Sequence, residues 1–175
     1  DSELSQFIAN PSTDWIEVSA EFCETIENAL AVSHQSNGAF DITVGPLVNL
    51  WGFGPDGLRR EPPDDAALDA VMNNVGYEGI TTRCDAPAVR KRSAGVYVDL
   101  SGWAKGYGVD RLAAVLDDYR LKDYLVEIGG ELRMRGRNAE GRKWSIAIEA
   151  PSTTTRRPHS VLRLTDTSVA TSGDY

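Results

Sequence analysis

Residues 124–135 read Tyr124-Leu125-Val126-Glu127-Ile128, then Gly129-Gly130, then Glu131-Leu132-Arg133-Met134-Arg135. Each flank has the length and composition of a strand, and paired glycines form a break at which a chain can reverse. A bulge or hairpin explains the glycines, and so does a ligand that needs close backbone approach. The same reading continues downstream, where Trp144–Glu149 and residues 161–164 are predicted strands and Ala139-Glu140-Gly141 is a further hairpin break. Upstream, residues 79–83, 89–92 and 96–100 also read as strands. Neighbouring hairpins with a few helices predict an α+β fold, a mainly antiparallel sheet with packed helices, in one domain over residues 1–175. Strict alternation of strand and helix is absent, so a doubly wound nucleotide-binding sheet is the second reading.

Three helices fit around these strands. Residues 19–35 set Phe22, Ile26, Ala29, Leu30 and Ser33 at helical spacing, with acids near the start and Ser36-Asn37-Gly38 as a stop. Residues 64–74 follow Pro62-Pro63 and offer Leu68, Val71 and Met72 as an apolar face. Residues 102–119 follow the 96–100 segment directly, with Val109, Leu112, Ala113, Leu116 and Tyr119 as the buried face.

A chain of 175 residues, 41% of them hydrophobic, suffices for one core. Its apolar runs fall far short of the roughly 20 residues a membrane helix needs. The opening Asp1-Ser2-Glu3-Leu4 lacks the ordered segments of a signal peptide, and a start without Met suggests a segment removed upstream. Charge is uneven: residues 1–58 hold nine acids and no Lys or Arg, and the whole chain carries −8. That balance opposes nucleic-acid binding, which needs Lys and Arg on phosphates. A small phosphorylated ligand stays compatible, held by backbone N–H groups and a bridging cation. Cys23 and Cys84 match no metal-ligand spacing and could be buried thiols or a disulfide.

Four stretches stand apart from routine core and turn. Residues 37–47, running on to Trp51-Gly52-Phe53-Gly54, gather small residues and aromatics around Asp41 without a clear period. They read either as a buried loop with a capping Asp or as a loop lining a ligand. Residues 98–110 end a strand, place a carboxylate at Asp99 and open a helix with small residues. Free N–H groups there suit an anion. Gly106 and Gly108 each cost that helix about 1 kcal/mol relative to Ala, which tight packing or a close ligand would explain. The Gly129-Gly130 break is the third stretch and Ala170-Thr171-Ser172-Gly173-Asp174, by itself only a turn, the fourth. Neither His34 nor His159 has neighbours resembling a triad or zinc site, so both read as solvated. Arg133, Arg135, Arg137 and Arg142 alternate along a hairpin and read as a solvated face.

Taken in order, these stretches resemble the ApbE family, the FAD:protein FMN transferases. The matching pieces are the Asp1–Ser5 opening, Gly38-Ala39-Phe40-Asp41-Ile42-Thr43-Val44-Gly45-Pro46-Leu47, Asp99-Leu100-Ser101 through Lys105-Gly106-Tyr107, Ile128-Gly129-Gly130-Glu131, Trp144-Ser145-Ile146-Ala147-Ile148 and Ala170-Thr171-Ser172-Gly173. The resemblance implies a Mg²⁺-dependent enzyme on the periplasmic side of the bacterial cell envelope, lipid-anchored to the inner membrane. Such an enzyme splits FAD and attaches FMN to a threonine hydroxyl of an acceptor, typically a flavin-carrying subunit of a sodium-pumping quinone reductase or related complex. Two alternatives accompany it: hydrolysis of FAD to FMN and AMP, or flavin-nucleotide binding without turnover.

Carried over residue by residue, Ala39, Phe40, Asp41, Asp99 and Lys105 would contact FAD, and the Gly102 main-chain carbonyl would face the metal. The family continues into a segment with a His and an Ile-Asp-Pro-x-Thr-Gly motif, whose Asp and Thr complete the metal ligands. That segment lies past Tyr175, so the chain is expected to be truncated at both ends. On its own it is expected to lack transfer activity, with its catalytic residues unassigned.

Overall fold

The computed structural model describes residues 2–54, 57, 61–151, 155 and 157–172. Contacts gather into two compact units, Asp1–Leu100 and Ser101–Tyr175. Helices combine with antiparallel sheets throughout, as an α+β fold requires. No described helix is long and apolar enough to cross a membrane.

The first unit contains helices α1 (Glu3–Ala9), α2 (Ala20–Gln35), α3 (Gly45–Leu50) and α4 (Asp65–Met72). Its strands β1 (Ile16–Glu17), β2 (Ile80–Arg83) and β3 (Ala88–Lys91) form an antiparallel sheet in the order β1-β3-β2. Helix α2 forms where its spacing predicts, because one face buries Phe22, Cys23, Ile26, Ala29, Leu30 and Ser33. The Ser19 hydroxyl caps it by accepting from the Phe22 N–H at 3.1 Å. Asn37 and Gly38, with φ of 52° and 80°, end it in the left-handed region. A Cys23–Cys84 disulfide ties α2 to the turn after β2. Lys91 is fully buried, and its Nζ donates to the carbonyls of Phe7, Ile8 and Asn10 at 3.2, 3.4 and 2.5 Å, closing the end of α1. Burial pushes its ammonium below the ordinary lysine range.

Two sequence expectations fail in this unit. Residues 96–100 join no sheet among the described residues, although Val96 and Val98 are each 1% exposed. Their alternation reports burial, not strand pairing. Met72 is 50% exposed and no residue of α4 is fully buried; of its predicted face only Leu68 and Val71 are half-buried.

The second unit opens with α5 (Ser101–Asp118) and continues through β4 (Tyr124–Ile128), β5 (Glu131–Arg135), β6 (Trp144–Glu149), β7 (Pro158–Leu164) and β8 (Thr167–Val169). The sheets have the orders β4-β5-β8 and β6-β7, all antiparallel. Gly129 and Gly130, with φ of 56° and 96°, make the two-residue reversal between β4 and β5 that the Gly-Gly pair predicts. Val109 and Ala113 of α5 pack on Tyr124 and Val126, with Leu116 and Ile128 at the margin. Leu112 and Tyr119, predicted for that face, are 48% and 77% exposed; the buried stripe is narrower than the apolar one.

The expected hairpin around Ala139-Glu140-Gly141 is not one. That turn carries the chain from one sheet to the other, since β5 pairs with β4 and β8 while β6 pairs with β7. Asn138 shapes it, its side-chain oxygen accepting from the Glu140 and Arg142 N–H groups at 3.1 and 2.9 Å. The arginines are solvated as expected, with side chains 40%, 49% and 75% exposed at Arg133, Arg135 and Arg142, and two of them also pair with α5: Arg133 with Asp110 at 2.7 Å and Arg135 with Asp117 at 2.5 Å. The Arg135 hydrogen bond holds the Asp117 carboxyl below the usual carboxylate range, with the Tyr124 hydroxyl assisting. Burial, and then Asp117, push the Tyr124 hydroxyl up.

Candidate functional site

Three stretches far apart in sequence meet around one cavity of about 610 Å³ in the second unit. The first turns of α5 contribute Ser101, Gly102, Lys105 and Gly106. The β4–β5 reversal contributes Gly129 and Glu131, and Ala170, Thr171 and Ser172 come after β8. Gly173 and Asp174 of the fourth stretch lie outside the described residues. The volume is in the range of small-molecule sites.

The chemistry of this cavity follows from its walls. The first N–H groups of a helix have no partner within the helix and carry the positive end of its dipole, a fit for phosphate oxygens. Hydroxyls of Ser101, Thr171 and Ser172 add neutral polar groups. Lys105 Nζ lies 2.8 Å from Glu131 Oε2 and donates to the Gly129 carbonyl at 3.3 Å.

The two helix glycines divide between the two explanations the sequence offers. A Cβ on Gly108 would come within 3.0 Å of Ile128 Cδ1, so Gly108 serves the packing of α5 on β4. A Cβ on Gly106 would meet nothing within 4 Å, so packing does not account for that glycine.

A second cavity of about 640 Å³ in the same unit shares Thr171 and Ser172 and is lined by Leu125, Leu132, Ile146 and Ile148 among others. Ile146 and Ile148 belong to the Trp144–Ile148 stretch, so the fifth matching piece also reaches this region.

The remaining predicted residues belong to the first unit. Asp41 is half-buried and capping: its Oδ1 accepts from the Thr43 N–H and hydroxyl at 2.7 and 2.6 Å, and its Oδ2 from the Tyr77 N–H at 3.0 Å. The buried Thr43 hydroxyl in turn accepts from the Gly76 N–H at 2.7 Å. Gly45 is required because a Cβ would collide with the Tyr97 ring at 1.9 Å. Ala39 is exposed and Phe40 half-buried, its N–H donating to the Ser36 hydroxyl at 3.0 Å. The Asp99 N–H donates to the Ile42 carbonyl at 2.7 Å, which fastens the Asp41 turn to the segment leading into α5.

Sequence reasoning missed the Thr43–Gly76–Tyr77 network and the Lys105–Glu131 pair. Neither has a local signal, since the partners lie more than a supersecondary motif apart or across a turn whose geometry must first be known. Among the described residues, no group of three or more His, Cys, Asp or Glu is placed to hold a metal.

The family model described as the ApbE family matches residues 1–175. The FAD:protein FMN transferase of Haemophilus influenzae is 44% identical over 179 residues, covering 100% of this chain and 52% of the relative. That of Vibrio cholerae is 42% identical over 175 residues with the same coverage. The chain thus spans about half the length of the curated relatives it matches. Among solved structures, the flavin transferase ApbE from Vibrio cholerae superposes with a TM-score of 0.89 at 40% identity, over 99% of this chain and 56% of that one. The Pseudomonas stutzeri flavinyl transferase ApbE in its apo form gives 0.86 at 34% identity, over 100% of this chain and 54% of that one. With its sequence stretches in register and the family model matched from end to end, the chain belongs to the ApbE family.

Proposed function

We propose that the protein transfers FMN from FAD to a threonine hydroxyl of an acceptor protein and releases AMP. The observation that carries this reading is the convergence of α5's first turns, the Gly129-Gly130 reversal and Thr171-Ser172 on one cavity. Relatives bearing that name at up to 44% identity support it. In the reaction, the threonine oxygen attacks the phosphorus on the FMN side, the bond to the bridging oxygen breaks, and AMP leaves with the electron pair while the hydroxyl proton is lost. Little covalent work falls to the protein in such a step; it positions the phosphates and stabilises their charge. The α5 N-terminus and the Thr171 and Ser172 hydroxyls, which line the cavity, are the proposed partners of the phosphoryl oxygens. Ala39, Phe40, Asp41 and Asp99 are proposed as further FAD contacts, and Lys105 as a residue of the phosphate cavity.

Magnesium is the proposed metal, with the Gly102 carbonyl as one ligand and oxygens of FAD and water as others. Mg²⁺ takes oxygen ligands and keeps several waters, and when bound it neutralises pyrophosphate charge. We place the protein on the periplasmic side of a bacterial envelope, lipid-anchored. The Cys23–Cys84 disulfide supports an oxidising compartment. A flavin-carrying subunit of a sodium-pumping quinone reductase, or of a related complex, is the proposed acceptor.

The test mixes the full-length protein with FAD, Mg²⁺ and an acceptor bearing the target threonine. Flavin fluorescence on the denatured acceptor, with AMP in equal amount, is the expected result. FMN and AMP without labelled acceptor would indicate hydrolysis, and intact FAD would reduce the function to binding.

A further inference from the structure

We propose that Lys105 serves the anionic ligand of this cavity indirectly, by cancelling the charge of Glu131, and not as a direct phosphate contact. The inference rests on the reading that the cavity takes a pyrophosphate-bearing nucleotide. Glu131 opens β5 with its side chain 14% exposed, and its Oε2 is shut off from solvent. A carboxylate so placed is poorly screened, and it would repel a phosphate entering the same cavity.

Lys105 Nζ lies at an ion-pair distance of 2.8 Å from that oxygen, with its side chain 49% exposed. Its Nζ donates to the Gly129 carbonyl, and its stem lies so close to Gly129 that a Cβ there would come within 3.1 Å of Lys105 Cδ. The ammonium is therefore turned toward the β4–β5 reversal. The other described residues lining the cavity, such as Ser101, Gly102, Thr171 and Ser172, carry no side-chain charge. The same pairing rule runs along the whole contact between α5 and β5. Glu131, Arg133 and Arg135, alternate residues of β5, meet Lys105, Asp110 and Asp117 of α5 in turn. The cavity end of that row is thus left neutral, and the helix N–H groups and hydroxyls provide the attraction.

The experiment titrates the full-length parent, Lys105→Met, Glu131→Gln and the double variant with inorganic pyrophosphate by calorimetry, and with FAD by flavin fluorescence. Thermal unfolding of each protein is recorded alongside. Lys105→Met should weaken pyrophosphate binding by about tenfold, the size of one poorly screened like charge nearby. Glu131→Gln should tighten it severalfold, and the double variant should return to within about twofold of the parent. A double variant as weak as Lys105→Met would show direct contact and overturn the proposal. So would Glu131→Gln binding more weakly than the parent, a result that stands even if Lys105→Met fails to fold. A parent that binds no pyrophosphate also overturns it. If the pyrophosphate pattern holds while no protein binds FAD, the functional reading fails and the charge-cancelling role stands.

Discussion

Asp41 engages both carboxylate oxygens within its own unit, through Thr43 and Tyr77, before any ligand arrives. A carboxylate has about four acceptor sites, so a ligand can still be added to these bonds. The consequence is that Asp41→Ala should lower stability by about 2–3 kcal/mol, since it strands the Thr43 and Tyr77 N–H donors. Urea unfolding checks this, and an unchanged midpoint would show the capping bonds to be dispensable. Composition around Asp41 could not separate capping from binding, because the partner that settles it, the Tyr77 N–H, is 36 residues away. Gly106 offers the cleaner probe of the site. With open space beyond its Cα, Gly106→Ala should stabilise α5 by about 1 kcal/mol while weakening FAD binding. A variant that gains stability and binds FAD as the parent does would remove Gly106 from the site.

Among the elements, α2 and the β4–β5 hairpin were legible because period, stop signals and turn chemistry agreed on each. Helix α3 was not: Gly45-Pro46-Leu47-Val48-Asn49-Leu50 is too short to show a period, and its glycine answers to the Tyr97 ring, 52 residues on. The ion pairs of the β5 arginines are hidden from sequence for a related reason. Alternation places Arg133 and Arg135 on one solvated face, but only the position of α5 reveals that Asp110 and Asp117 lie within reach of them. This contact has a pH signature. Because the folded Asp117 carboxyl titrates below its ordinary value of about 4, its contribution is complete above that pH and fades as pH falls through the lower folded value. Asp117→Asn should flatten that part of the acid limb of a stability–pH curve, modestly because the side chain is 36% exposed. An acid limb identical to the parent's would mean that Asp117 does not contribute.

For the whole molecule, the α+β class followed from the hairpins, and the family from six weak stretches in register. What neither could show is that three of them would close one cavity, since that depends on β8 joining β5 and on the Gly129-Gly130 reversal lying beside the start of α5. On the proposed function, this cavity receives the pyrophosphate of FAD. A crystal structure of the full-length protein with FAD bound tests it most directly. The expected result is phosphate oxygens within hydrogen-bond reach of the α5 N-terminal N–H groups and the Thr171 or Ser172 hydroxyl. Phosphates farther than a side chain's reach from Gly102 would contradict it.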